Sequence, residues 1–269
     1  MASPSPRTDK IAALVLAACA MLGKPAAALP PLAGHHAVYT LALKTGADQG
    51  AIAASGRMVF DLNDTCAGWT TAQHMIIDLT GHDGQEQHMV SDYATLESHD
   101  GSRLDFHSRQ TTNGRATAKV DGAAQLEHSG GRGFADYTSP EAKHVLLPEG
   151  TLLPTAHTTA LLVAADAGHK FLSAPLFDGT GESGAEDSFV TIGAHFKATP
   201  STYPSLTALP ATHVSVAFFD RTTAAETPDF EVAMRYYTNG VASDLEMNFG
   251  EFTMLGRLDH FDPKPPSHC

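Results

Sequence analysis

The chain is short of positive charge. Seventeen lysines and arginines stand against 30 aspartates and glutamates, a formal net charge of −13 over 269 residues. Holding a polyanion takes clustered basic side chains that neutralise phosphates, and the sequence has no such cluster. Nucleic acid is excluded as a partner on that ground, and an anionic membrane surface is disfavoured. Long apolar runs are missing as well. No stretch reaches the about 18 residues that point to a spanning helix, so no membrane span is expected. The signatures of nucleophilic catalysis, GxSxG and SxxK, do not occur. Histidine is plentiful, at 15, yet no HxH, HExxH or Cys/His grouping gives metal-ligand spacing. His82 and His88 flank the Asp83-Gly84 turn, and a metal held between them is the minor alternative to two solvated turn histidines. No catalytic residue, cofactor or metal is therefore assigned.

What is present begins with an export segment. Arg7 and Lys10 precede the apolar run 11–22, and Ala26-Ala27-Ala28 offers a small-residue cleavage site, so residues 1–28 read as a signal peptide. Leu16-Ala17-Ala18-Cys19 also fits the pattern before a lipidated cysteine. The apolar run continues through Ala20-Met21-Leu22, which favours simple cleavage. Residues 29–269 then form a single domain, with no repeat and no composition break. The segment removed carries three cations and one anion, a sum of +2, so the remainder stands near −15. Cys66 and Cys269 remain. An exported pair of cysteines is expected to form a disulfide, two free thiols being the alternative.

The body of the chain is written in turns. Asp83-Gly84, Asp100-Gly101, Asn113-Gly114, Asp121-Gly122, Asp178-Gly179 and Asn239-Gly240 are tight-turn dipeptides. Alternating runs around them predict strands over 36–43, 57–62, 69–79, 86–98, 103–112, 115–126, 134–137 and 143–147. Further strands follow over 171–177, 189–198, 212–220, 230–237, 241–249 and 252–260. Such a series fits a closed or strongly curled antiparallel sheet. Residues 199–210, with three prolines, predict a surface loop, and 263–267 an extended tail.

One helix interrupts the strands, over about 155–167. Pro154 sets its entry, Thr155 is the expected N-cap, and Gly168 supplies the left-handed residue at its end. His157, Leu161, Ala164 and Ala165 share one face. His157 is the leading candidate for a special role, against the alternative of a structural histidine bonded to a loop carbonyl. Trp69, three residues after Cys66, is expected to pack beside a disulfide there. Gly179-Thr180-Gly181-Glu182-Ser183-Gly184 matches GxGxxG, but a strand follows where a nucleotide site needs a helix, so it reads as a hairpin loop.

Several stretches carry a family resemblance. They are Gly34-His35-His36-Ala37-Val38-Tyr39, Gly56-Arg57-Met58-Val59-Phe60, Cys66-Ala67-Gly68-Trp69 and Leu147-Pro148-Glu149-Gly150. Leu153-Pro154-Thr155-Ala156-His157-Thr158 follows, then Phe177-Asp178-Gly179, Pro228-Asp229-Phe230-Glu231, Asn239-Gly240-Val241 and Phe249-Gly250-Glu251-Phe252. In that order the chain resembles the EipB family of exported alphaproteobacterial cell-envelope integrity proteins. Phe249, Glu251 and Leu153 depart from the family pattern of Tyr, Asp and Phe. The resemblance implies a mainly β protein, two antiparallel sheets wound into a spiral- or barrel-like body with the helix packed against it. It also implies a Cys66–Cys269 disulfide, a periplasmic location, and a non-enzymatic role in envelope integrity. Two functional readings follow. In one, the β body docks an envelope protein, exposed strand edges being natural sites for strand addition. In the other, a cavity under the helix carries a lipid or lipoprotein acyl chain, lined by Leu161, Leu162 and Val163, unless these three simply fill the core.

Overall fold

A computed structural model of the chain describes residues 32–44, 51–198, 201–223 and 226–267. The expected export segment with Cys19, and the terminal Cys269, lie outside them.

Fourteen strands alternate with tight turns: β1 His35–Leu43, β2 Ala51–Thr65, β3 Gly68–Gly81, β4 Glu86–Glu97, β5 Arg103–Thr112, β6 Arg115–Leu126, β7 Gly133–Ser139 and β8 Lys143–Leu147. Helix α1, Pro154–Asp166, crosses to β9 Phe171–Leu176 and β10 Glu186–Phe196. A one-turn helix α2, Pro204–Thr207, precedes β11 Ala211–Phe219, β12 Phe230–Tyr237, β13 Ala242–Asn248 and β14 Thr253–Pro263. All strands hydrogen-bond in one antiparallel sheet, ordered β8-β7-β6-β5-β4-β3-β2-β1-β14-β13-β12-β11-β10-β9. Two meanders are thus joined where β1 pairs with β14. The free edges are β8 and β9, consecutive in the chain and linked by α1.

These edges do not pair as strands; a single parallel bridge between Leu152, beyond the end of β8, and Leu176 of β9 joins the two sides, and side chains complete the seam. Tyr137 donates to the Gly181 carbonyl at 3.1 Å and accepts from the Gly184 amide at 3.2 Å. Lys143 donates to the Glu182 carbonyl at 3.0 Å. Phe106, Tyr137 and Phe177 meet edge to face inside this seam, with ring centroids 5.3–6.3 Å apart. The result is a curled, barrel-like body. The GxGxxG stretch lies in the β9–β10 hairpin loop, as its missing helix predicts.

The turn chemistry works as the sequence suggests, with one exception. Asn113 and Gly114 both take positive φ, 53° and 74°, and close β5 on β6 in a two-residue loop. Asp121-Gly122 is not a turn. It lies inside β6 at a register shift against β7. Glycine is needed there because a Cβ would sit 2.4 Å from the Asp136 carbonyl oxygen and 2.6 Å from Phe106. The loop expected over 199–210 also needs correction: α2 lies within it and drives Leu206 fully into the core.

The apolar interior falls into three clusters rather than one. The first gathers Tyr39, Leu41, Met58, Ile77 and Met254 with Leu206. The second surrounds Phe106, Tyr137 and Phe177. The third packs Leu161 and Leu162 of α1 on Val190, Ile192, Val214 and Val216.

Candidate functional site

Helix α1 forms for local reasons at one end and long-range reasons at the other. At its C-terminus Gly168 has φ 77°. The Gly168 amide donates to Ala165 and the His169 amide to Ala164, at 3.0 and 2.9 Å, the paired bonds of a Schellman ending. At its N-terminus the expected Thr155 cap is not formed. Leu153 occupies the cap position, Pro154 is the first helical residue, and no side chain of the local chain caps the end. The cap comes instead from β4. The Glu97 carboxylate accepts from the amides of Thr155 and Ala156 at 2.6 and 2.9 Å. Glu97 is 2% exposed. Burial raises its pKa, and the two amides pull it back down. A buried carboxylate fits at this position because free amides and the positive helix end both face it.

His157 lies on the inward face of α1 and is 6% exposed. The Ser188 hydroxyl donates to the Ala174 carbonyl at 2.8 Å, so it accepts from His157 Nε2 at 2.9 Å. That chain of bonds assigns the Nε2–H tautomer. The expected loop carbonyl is therefore replaced by a strand hydroxyl, which passes the bond to a strand carbonyl. Burial pushes the imidazole down to about 4 and keeps it neutral. Ser188 is fully buried with its hydrogen committed, so the pair is not arranged for nucleophilic attack.

The three core clusters leave a gap under α1, a cleft of about 380 Å³. Pro154, Thr155, His157 and Leu161 face it from the helix. Leu162 instead belongs to the core behind, and Val163 points to solvent, so of the three expected lining residues only Leu161 serves. The opposite walls differ in character. Val216, Phe218, Val232 and Met234 of β11 and β12 are apolar, whereas β3–β5 present Thr71, Gln73, Ser91, Tyr93 and Ser108. Register aligns Gln73, Tyr93 and Ser108 in one row across three strands. Tyr93 donates to the Asp178 carbonyl at 2.8 Å and Tyr236 to Thr158 at 3.2 Å; burial raises the pKa of both phenols.

Asp178 closes this polar end. The Thr180 amide and hydroxyl both donate to its Oδ1, at 2.9 and 2.8 Å. The carboxyl is enclosed by protein and open to the cleft, and burial raises its pKa. Glu186, at the start of β10, is pushed up to about 7 by burial and by the charges of Asp178, Asp229 and Asp220.

Trp69 stands apart from the cleft. Its ring meets His99 edge to face at 6.1 Å, beside the two-residue turn Cys66-Ala67. The outer surface carries a different pattern: seven histidines each contact an aspartate at 2.6–3.0 Å. Sequence reasoning missed Glu97, Asp178, Glu186 and Ser188. Asp178 was visible as a turn residue and within the family-like stretch Phe177-Asp178-Gly179, with no role attached, and no local signal ties Glu97 to the helix.

Comparison with known proteins gives three agreeing results. The EipB-like family matches residues 26–265. The chain is similar to the cell envelope integrity protein EipB of Brucella abortus (strain 2308), 27% identical over 245 residues that cover 88% of this chain and 86% of that one. A crystal structure of a beta-barrel-like protein of the domain of unknown function DUF1849, also from Brucella abortus, superimposes with a TM-score of 0.78 at 26% identity. That match covers 87% of this chain and 99% of the other.

Proposed function

Since the chain belongs to the EipB-like family, we propose that it is a periplasmic, non-enzymatic protein that supports cell-envelope integrity by docking an extended segment of an envelope protein on its free strand edge. The observation that carries the reading is the geometry of β9. Ile192 donates to the Lys170 carbonyl on the β10 side, while the Pro175 carbonyl and Phe177 amide turn the other way, toward Leu152. By alternation the amides and carbonyls of Phe171 and Ser173 face outward. Pro175 fits the same pattern, since its missing donor lies on the open side. Beside this edge Phe171 and Phe189 stack at 5.7 Å while 60% and 43% exposed. An added strand would gain main-chain bonds at Phe171 and Ser173 and apolar contact with the stacked rings.

A Cys66–Cys269 disulfide belongs to the proposal. The Ser267 amide donates to Asp64 at 3.3 Å, and Lys264 to Asn63 at 2.7 Å, so the chain near its C-terminus runs alongside the residues before Cys66. A photoreactive residue at 171 tests the docking. It is expected to crosslink one envelope protein through a defined peptide, with the crosslink lost in Ser173→Pro. Equal crosslinking from position 255 on the far strand β14, or survival of the crosslink in Ser173→Pro, overturns it.

A second reading, a periplasmic carrier, is favoured by the cleft under α1, whose apolar β11–β12 wall suits a single acyl chain. Solvent extraction of protein purified from the periplasm tests it, stoichiometric amphiphile supporting the reading and none counting against it.

A further inference from the structure

We propose that the cleft under α1 selects a single-chain amphiphile with a primary-amine head, seated at Asp178, with its chain along β11–β12. The inference rests on the carrier reading and adds the headgroup.

The size fits: about 380 Å³ lies within the range of small-ligand sites. The division of the walls fixes an orientation. An apolar chain meets Val216, Phe218, Val232 and Met234, and a polar head meets the row formed by Gln73, Tyr93 and Ser108. The inward face of a β body is ordinarily apolar, because unpaired polar groups are costly there. Here the polar side chains are unfinished. Ser108 is 5% exposed and makes no hydrogen bond among the described residues. Asp178 Oδ2 likewise accepts from no other residue among those described, both Thr180 bonds going to Oδ1.

Charge then selects the head. Among the described residues the lining holds no lysine or arginine, and Asp178 is its one charged side chain. A carboxylate or phosphate head would place a second anion beside Asp178 with no cation to offset it. An ammonium supplies the missing donor to Oδ2 and the missing countercharge together. Burial raises the pKa of Asp178, and the Asp178 charge in turn adds to the burial that pushes Glu186 up to about 7. Burial of the head strengthens the pairing, because water no longer screens it.

The test titrates the purified protein by calorimetry with dodecylamine and with dodecanoic acid, both below their micelle concentrations, at pH 7.5 and physiological salt. Dodecylamine is expected to bind one to one, at least tenfold more tightly than the acid. Asp178→Asn is expected to weaken the amine by at least tenfold and leave the acid unchanged or tighter. Met234→Trp, which fills the apolar end, is expected to abolish binding of both, with Val232→Trp as the replacement if that variant does not fold. Equal affinity for acid and amine overturns the headgroup assignment and leaves the carrier reading standing. No binding of either overturns both. Amine binding that survives the tryptophan variants marks adsorption to an acidic surface and also overturns the proposal.

Discussion

Replacing Glu97 by alanine removes the cap of α1 from a strand far away in the sequence. Two amides, the buried one of Thr155 and the half-buried one of Ala156, lose their acceptor. Each unsatisfied buried donor costs about 1–3 kcal/mol, and losing a carboxylate at a helix N-terminus adds up to about 2 kcal/mol. Against this, the variant no longer buries a charge, the cost that raises the Glu97 pKa. The net expectation is a loss of about 3 kcal/mol. At about 2–4 °C per kcal/mol for a domain of this size, the melting temperature should fall by about 6–12 °C. Glu97→Gln keeps one acceptor oxygen and should lose about half as much. Urea unfolding of the three proteins at pH 7 measures this. A loss below about 0.5 kcal/mol in Glu97→Ala would refute the capping argument, and so would glutamine and alanine variants of equal stability.

Three more perturbations have determined signs. His157 titrates near 4 when folded and near 6.5 when unfolded, so the unfolded chain takes up the proton first as the pH falls. Stability is whole above about pH 6.5 and drops by about 3 kcal/mol by pH 4 on this account; His157→Gln, which keeps a donor toward Ser188, should flatten that decline in pH-resolved urea unfolding. Glu186 has the opposite sign, since its folded pKa of about 7 lies above the ordinary glutamate value of 4.5. Its burden is present above pH 7 and relieved as the pH falls toward 4.5, so Glu186→Gln should raise the melting temperature at pH 8.5 and leave it unchanged near pH 4.5. Cys66→Ser, Cys269→Ser and the double variant should each lower the melting temperature by the same several degrees, because each removes the same bond; additive losses in differential scanning calorimetry would contradict the pairing.

Much of the fold is legible in the sequence because it is local. Dipeptides such as Asn113-Gly114 close hairpins wherever alternation flanks them, and the meander order follows. Helix α1 announces itself through Pro154 and Gly168 for the same reason. The site is less legible because it is assembled across distance. Glu97 caps a helix that begins 57 positions later. Strands β3–β5 carry polar residues on both faces, Gln73 inward and His74 outward for example, so alternation alone cannot say which face is inside. Leu206 shows the converse, a buried anchor hidden in a proline-rich stretch that reads as loop. The cleft is a property of three clusters that do not merge, and no residue encodes it alone.

The most direct test of the docking account is growth of a strain lacking this protein under detergent stress, complemented by the wild type or by Ser173→Pro. Proline at 173 deletes an outward amide of β9 and leaves the ladder to β10 intact, so its melting temperature should match the wild type. The account predicts that the wild type restores growth and Ser173→Pro, at equal abundance, does not. Full restoration by Ser173→Pro would contradict it.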